Sequence, residues 1–151
     1  MSEALRAALY GFMQQHNVLT LAYQDEEGVG SCALWFAPDE ALACYFLSAL
    51  TTRHGRALAA GGEVAFTIQK DEQPWQAIRG VQGRGRCAPL TEPLRSTAWQ
   101  VYQSRFPFIS QQFPDLESAL QRSLLWQIVP AWLRLIDNSR GFGFKEELWL
   151  T

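Results

Sequence analysis

Three strand-forming segments follow one another near the start of the chain, with only short turns between them. The segments cover residues 17–24, 29–36 and 41–47, and polar stretches at 25–28 and 37–40 connect them. Connections this short cannot hold a crossover, so consecutive strands must run antiparallel. The third segment is apolar on both faces, which is typical of a strand that is covered on both sides. The sequence therefore predicts a sheet that begins as an antiparallel meander.

Further strands and several helices complete the predicted fold. Leu5, Leu9 and Phe12 have the spacing of an amphipathic helix that precedes the meander. Helices are also predicted after residue 52 and over 92–105 and 115–122, and strands over 63–70, 75–90, 123–129 and 131–136, with a break at Pro130. Glycines inside the segment 75–90 indicate a bulge, a barrel corner or close approach by a ligand or another backbone. Together these elements predict a mainly β (α+β) fold, a closed or nearly closed antiparallel barrel of six or seven strands with an N-terminal helix and inserted helices.

Composition limits the class of protein. A chain of 151 residues, of which 48% are apolar and 19% charged, fits one globular domain over residues 1–151. The net charge of -2 gives no basic excess for nucleic acid, and no apolar segment is long enough to span a membrane. Cys32, Cys44 and Cys87 lie among apolar residues without the spacing of a disulfide framework or zinc site. Reduced core thiols and the lack of a secretory signal pattern predict a cytoplasmic protein.

The most informative polar segment is the corner at residues 45–58, where a predicted strand ends and a helix begins. Five polar residues crowd into it: Ser48, Thr51, Thr52, Arg53 and His54. Hydroxyls and a guanidinium beside a helix N-terminus can bind an anion such as phosphate. In an alternative interpretation, a threonine only caps the helix and Arg53 is solvated. The residues alone leave both interpretations open.

Standard catalytic motifs do not occur in the sequence. Neither a nucleophile elbow, a zinc-protease motif, a phosphate-binding P-loop nor a dinucleotide fingerprint is found, and the acidic run 25–27 has the composition of a solvated turn. If the protein is an enzyme, a cofactor is expected to carry the chemistry. A small barrel has no room for a ligand inside, so the site is expected at a rim or between two subunits. Five aromatic residues, taken as exposed, exceed what one core of this size needs: Trp35, Phe106, Phe108, Trp132 and Trp149. Such a surplus can indicate a subunit interface, but it can equally be part of the core, as is common for any single tryptophan.

Several segments match one protein family in their order and spacing. They are VLTLAYQ at 18–24, VGSCALWF at 29–36, YFLS and TTRH within 45–54, EVAFTIQ at 63–69 and Gly85 in a long strand. In this order they resemble the pyridoxamine-phosphate-oxidase-like FMN-binding split barrels. TRH at 52–54, RFP at 105–107 and DNSRGFGF at 137–144 are similar to a functionally unassigned bacterial branch of that superfamily. The resemblance implies a split-barrel homodimer with a flavin mononucleotide (FMN) site at each end of its interface.

The resemblance also implies roles for individual residues. Ser48, Thr52 and Arg53 match the positions that contact the FMN phosphate, and Thr51 lies in the same turn. His54 stands where many relatives have lysine, and histidine is only partly charged near neutral pH.

The flavin ring is matched to other segments. In relatives its edge is read largely by the backbone of the second strand, here Cys32, Ala33 and Leu34. Strong flavin binders often have a glutamine where this chain has Gly80, with Gln82 nearby on a shifted position.

Three hypotheses follow. The first is a cytoplasmic FMN-dependent oxidoreductase of unassigned substrate, for which the sequence names no catalytic acid or base. The second is a cofactor-free split-barrel dimer that binds a small ligand or a protein, motivated by His54 and Gly80. The third is haem binding, with His54 as a conceivable axial ligand.

Overall fold

A computed structural model describes residues 2–150 of the chain. Its helices are α1 (Ser2–Gln14), α2 (Arg53–Leu58), α3 (Leu94–Arg105), α4 (Phe108–Gln112) and α5 (Pro114–Gln121), with short 3-10 turns at Trp75–Ala77 and Asn138–Arg140. Its strands are β1 (Val18–Asp25), β2 (Gly28–Trp35), β3 (Ala37–Pro38), β4 (Cys44–Ser48), β5 (Gly62–Gln69), β6 (Arg79–Pro89), β7 (Leu124–Asp137) and β8 (Lys145–Trp149).

The strands form one antiparallel sheet that curls into a half-barrel. Its order is β2-β1-β5-β6-β7-β4-β3, and β8 pairs with the outer part of β7. The predicted mainly β, split antiparallel barrel with an N-terminal helix and inserted helices is therefore confirmed. The predicted three-stranded meander is wrong beyond its first turn: β1 pairs with β2, but β4 pairs with β7 and β3, because the chain crosses to the other end of the sheet after β2. The sheet has eight strands rather than six or seven. The difference arises because β3 is only two residues long and β8 lies in the glycine-rich tail, where the sequence pattern is weak.

The predicted break at Pro130 is wrong, because β7 runs without interruption through this residue. The pairing register of β6 and β7 shifts between Arg84 and Gly85, which places Gly85 opposite Pro130. Such a bulge disrupts the ladder locally and so tolerates a proline, which cannot donate a backbone hydrogen bond. A side chain at Gly85 would collide with the carbonyl oxygen of Val129. The bulge and close approach that the glycines predicted are thus present.

The inside of the barrel is filled by its own side chains. Buried residues alternate along β1 and β5, and α1 closes one end with Leu5, Leu9 and Phe12. Helix α3 covers a second cluster on the other side of β4, in which Trp99, Tyr102 and Phe106 pack against Tyr45 and Leu125. The side chains of the first cluster fill the barrel interior, so a ligand has to bind on the outside.

The aromatic residues divide into two groups. Trp35 and Trp149 are exposed and Phe108 is half-buried, whereas Phe106 and Trp132 are buried, so exposure is wrong for these two and the core alternative holds. Arg84, Arg134 and Trp149 surround the ring of Trp132. Phe106 is buried because the loop after α3 folds it back under the helix against Tyr102.

The three cysteines are free thiols, and Cys44 and Cys87 lie in the core. No helix within residues 2–150 has the length and apolar character needed to cross a membrane.

Candidate functional site

The threonines of the corner between β4 and α2 have different roles. Thr52 is the N-cap of α2: its Oγ1 accepts a hydrogen bond from the Gly55 backbone N–H at 3.0 Å. The same hydroxyl donates to the Ala49 carbonyl oxygen at 2.9 Å. Thr51 is exposed, and its hydroxyl has no hydrogen-bond partner among the described residues. The capping role in the alternative interpretation is therefore present, and Thr51 is the hydroxyl that remains available.

Arg53 reaches from the first turn of α2 to the end of β1. Its Nε and Nη2 donate to Oδ2 and Oδ1 of Asp25 at 2.8 and 3.1 Å, which is a bidentate ion pair. Its guanidinium also lies 5.6 Å from the ring centre of Tyr23. The hydrogen bonds from Arg53 hold the pKa of Asp25 below its ordinary value. Arg53 is thus fixed against an anion and not freely solvated.

Asp25 is the site residue that the sequence did not reveal. The acidic run 25–27 had the composition of a solvated turn, but the Asp25 side chain is only 18% exposed. Asp25 and Arg53 are 28 residues apart, and no local pattern links them. They meet because α2 packs against the end of the β1–β2 hairpin.

His54 points back toward the end of β4. Its Nε2 and the Ser48 Oγ share a hydrogen bond of 2.6 Å. The centre of the imidazole lies 6.1 Å from that of the Tyr23 ring and 6.4 Å from that of the Phe46 ring. Burial lowers the pKa of His54, so the ring is neutral at neutral pH. Ser48 and His54 therefore form a neutral pair and add no positive charge to the corner.

The β2 residues matched to the flavin ring lie on two faces. Cys32 and Leu34 are half-buried and pack against the barrel core, whereas Ala33 is exposed on the opposite side of β2. Burial raises the pKa of the Cys32 thiol, which keeps it protonated. In the part of the chain that the structure describes, β2 pairs only with β1. Half of the β2 backbone groups consequently face away from the sheet, as on any edge strand.

Gln82 belongs to a different region. It lies on the outer face of β6, between Thr67 of β5 and Arg134 of β7, and two strands separate it from β2. Arg134 Nη1 donates to its Oε1 at 3.4 Å. The structure therefore brings Ser48, Thr51, Thr52, Arg53 and His54 together next to β2 but leaves Gln82 on the sheet face.

This outer sheet face contains two adjoining grooves. Their volumes are about 720 and 490 Å³, and both are lined by Ala22, Ala65 and Arg84. Arg84 and Arg134 lie against the ring of Trp132, at 4.5 and 4.9 Å from its centre. Arg134 is also paired with Glu147 at 2.6 Å, whereas Arg84 has no carboxylate partner among residues 2–150. We call this surface, formed by outward residues of β1, β5, β6 and β7, the outer face.

Within residues 2–150, neither the corner between β4 and α2 nor the outer face has the residues of a metal site. Across the described part of the chain, no three His, Cys, Asp or Glu side chains cluster closely enough to hold a metal ion.

Sequence comparison finds relatives that cover nearly the whole chain. A UPF0306 protein from Cronobacter sakazakii (strain ATCC BAA-894) is 30% identical over 149 residues, covering 98% of this chain and 96% of the relative. A UPF0306 protein from Klebsiella pneumoniae (strain 342) is 29% identical over 143 residues, covering 95% and 91%. No family model matches the chain.

Solved structures share the fold at lower sequence identity. A heme binding protein from Mycobacterium smegmatis has a TM-score of 0.72 at 17% identity, covering 95% of this chain and 57% of that protein. A putative pyridoxamine 5'-phosphate oxidase from Listeria innocua has a TM-score of 0.67 at 17% identity, covering 87% and 97%. A FAD-binding protein from Mesorhizobium loti has a TM-score of 0.61 at 18% identity, covering 84% and 90%. The resemblance to the pyridoxamine-phosphate-oxidase-like split barrels is thus confirmed for the fold.

Proposed function

This chain belongs to the UPF0306 family, and we propose that it is an FMN-binding protein whose flavin takes part in hydride or electron transfer. The observation that carries the proposal is the position of Arg53. Its guanidinium lies at the end of β1 near the ring of Tyr23, which also neighbours His54, and it already holds the carboxylate of Asp25 in bidentate geometry. A guanidinium placed in this way is suited to a phosphate group, which offers the same pair of acceptor oxygens.

The donor set of the corner fits the phosphate end of FMN. Arg53 supplies charge and two directed donors, and the exposed Thr51 supplies a free hydroxyl. The Ser48 hydroxyl already bonds to His54, and the Thr52 hydroxyl already accepts a hydrogen bond from the Gly55 N–H. Both can contribute to phosphate binding only by sharing these hydroxyls. Binding therefore depends chiefly on Arg53.

The ring of the flavin would lie along β2. Phe36 bonds to Asn17, its register partner on the β1 side. Cys32 and Leu34 have the same phase as Phe36, so they also turn their backbone groups toward β1. The backbone groups of Ala33 face away from the sheet and can bond the polar edge of an isoalloxazine. Because Ala33 has a small exposed side chain, it leaves room for a flat ring. Gln82 lies on β6, and β1 and β5 separate it from β2, so it is not placed beside a ring that lies along β2.

We further propose a homodimer that forms through the outer face. Exposed apolar side chains surround the grooves there, with Val29 77% and Val129 52% accessible. Burial of such a patch stabilises association, and a partner subunit would cover the flavin ring from outside.

The flavin supplies the redox chemistry when it is bound. The chain would bind the phosphate, orient the ring and exclude water. His54 is neutral and tied to Ser48, so the corner has no strong acid or base of its own. The free thiols Cys32, Cys44 and Cys87 support a cytoplasmic location for this chemistry.

A cofactor-free dimer that binds a small ligand or a protein is the second candidate. The observation that favours it is that Arg53 and Ser48 are already paired within the chain. Haem binding through His54 has less support, because its Nε2 bonds to Ser48 and is not open to a metal.

The test is to purify the protein under mild conditions, record its visible spectrum and then measure its melting temperature with added FMN. We expect a flavin spectrum or, failing that, a rise in melting temperature with FMN. A ligand present at 100 times its Kd stabilises the folded state by about 2.7 kcal/mol, which is readily measured. A colourless protein whose melting temperature ignores FMN would leave the cofactor-free dimer as the better account.

A further inference from the structure

The proposed phosphate site already holds an anion from the chain itself. Asp25, the last residue of β1, faces Arg53 across the gap between the β1–β2 hairpin and α2. Arg53 uses its Nε and Nη2 for the two hydrogen bonds to the carboxylate. This edge of a guanidinium is the one that forms parallel bonds to a phosphate group. The carboxylate and a phosphate group therefore compete for the same donors.

Asp25 is held in this place by its own turn. Its Oδ1 also accepts a hydrogen bond from the Glu27 backbone N–H at 2.9 Å. The bonds from Arg53 and Glu27 favour the ionised form and keep the pKa of Asp25 below its ordinary value. The competing anion is thus charged at neutral pH and fixed next to the guanidinium.

The surroundings leave a phosphate group few other contacts. The neighbouring Arg56 donates to the Thr51 carbonyl oxygen, and His54 is a neutral partner of Ser48. A phosphate that approached Arg53 from another side would remain close to the Asp25 carboxylate, and like charges at short range repel. Tight binding therefore requires Asp25 to leave Arg53.

We propose that Asp25 is an internal competitor for the phosphate group, bound to Arg53 in the empty protein and displaced when a phosphorylated ligand binds. This inference rests on the proposed function and adds a regulatory contact to the same site. It predicts that the wild-type protein binds FMN only moderately better than riboflavin, because displacement of Asp25 offsets the gain from the phosphate.

The experiment compares Asp25→Asn with the wild-type protein. Asparagine keeps the shape of the side chain and an acceptor for the Glu27 N–H, but it removes the charge. Glu26→Gln is the matched control, because it removes a charge from the same turn at an exposed residue that makes no contact with Arg53. FMN and riboflavin are titrated into each protein, and binding is followed by quenching of flavin fluorescence.

We expect Asp25→Asn to bind FMN roughly tenfold more tightly than the wild type, as suits the loss of one nearby like charge. Riboflavin has no phosphate, so its affinity should change by less than about twofold, within the usual effect of a surface substitution. Glu26→Gln should match the wild type for both ligands. FMN binding that is equal or weaker in Asp25→Asn would overturn the inference and leave the proposed function standing.

A second measurement separates the remaining outcomes. The melting temperature of each protein is recorded with inorganic phosphate, which tests the anion site without a flavin. If FMN binds to neither protein but phosphate stabilises Asp25→Asn more than the wild type, the inference stands and the proposed function fails. If FMN does not bind and phosphate does not raise the melting temperature of either protein, both the inference and the proposed function are overturned. Should Asp25→Asn fail to fold, Asp25→Ser gives the same comparison, because serine also suits the turn.

Discussion

The corner between β4 and α2 and the outer face satisfy their polar groups in opposite ways. In the corner, Arg53 is paired with Asp25, and Ser48 with His54. On the outer face, Arg84 has only the Trp132 ring as a partner among the described residues, and large apolar side chains lie open to solvent. The charged and histidine side chains of the corner are therefore paired within one chain, whereas the outer face lacks contacts that a partner could supply.

Because of this difference, we relate the corner to ligand binding and the outer face to dimer assembly. A site whose donors are already paired has to exchange one partner for another when it binds a ligand, so its affinity depends on that exchange. An open apolar surface gains free energy directly when it is covered. We therefore expect substitutions in the corner to change ligand affinity and local stability, and substitutions on the outer face to change assembly.

The largest expected effect is a loss of stability when a side chain is added at Gly85, where two backbones of the outer face approach closely. Gly85→Ala would push a methyl group into the carbonyl of Val129 at the bulge between β6 and β7, and neither backbone can move easily. We expect the free energy of unfolding to fall by about 2–3 kcal/mol in chemical denaturation. Gly11→Ala is the control, because its added methyl group meets open space in α1, and it should stabilise by about 0.5–1 kcal/mol. Equal effects at the two glycines would contradict the tight bulge.

The second effect concerns assembly. Val129→Lys places a positive charge in the larger groove of the outer face, which Arg84 and Arg86 also line. If the face is a dimer interface, the dimer should weaken by at least about 100-fold, because an unpaired charge would be buried. Light scattering over a concentration series measures this change.

Phe142→Lys is the matched control for assembly. It changes an apolar residue that is 83% exposed and lies in the tail away from the grooves. It should leave the dimer intact. A wild-type protein that is monomeric at micromolar concentration would contradict the assignment of the outer face as a dimer interface.

The third effect tests local stability in the corner. Thr52→Ala removes the cap of α2 and should cost about 1 kcal/mol. Thr51→Ala, one residue earlier, removes a hydroxyl without a partner in the described chain and should change stability by less than about 0.5 kcal/mol. Thermal and chemical unfolding of the two variants gives the difference. Similar losses would mean that the corner is not stabilised through its cap.

The smallest effect is a pH dependence from His54. Burial lowers the pKa of His54, so between that lowered pKa and the ordinary value of about 6.5 the unfolded chain binds more protons than the folded protein. The free energy of unfolding should therefore rise with pH across this window. His54→Gln should reduce the slope, and a slope of unchanged size would show that another group causes it.

Local sequence patterns were sufficient for most of the fold. The spacing of Leu5, Leu9 and Phe12 predicted α1, and the alternating segments predicted the strands, because burial on one face imposes a period on the sequence. Pro130 misled the prediction, since its tolerance depends on the register shift at Gly85, on another strand. Phe106 misled it for a similar reason, because its burial depends on how α3 packs.

The site was predictable only in part. The hydroxyls and guanidinium of residues 48–54 indicated an anion site, since their chemistry is local. The Arg53–Asp25 pair and the separation of Gln82 from the corner depend on how distant segments pack, which no local pattern records.

Titration of FMN into the wild type, Arg53→Ala and Arg84→Ala tests the central claim most directly, because the two variants remove one guanidinium from each region. If Arg53 anchors the phosphate, Arg53→Ala should weaken FMN binding by about 10-fold, because the lost hydrogen bonds to a charged group are partly offset by the displacement of Asp25 that this variant no longer requires. Arg84→Ala should stay within about threefold of the wild type, as expected for a residue outside the anion site. Unchanged affinity in Arg53→Ala, or a larger loss in Arg84→Ala, would contradict the account.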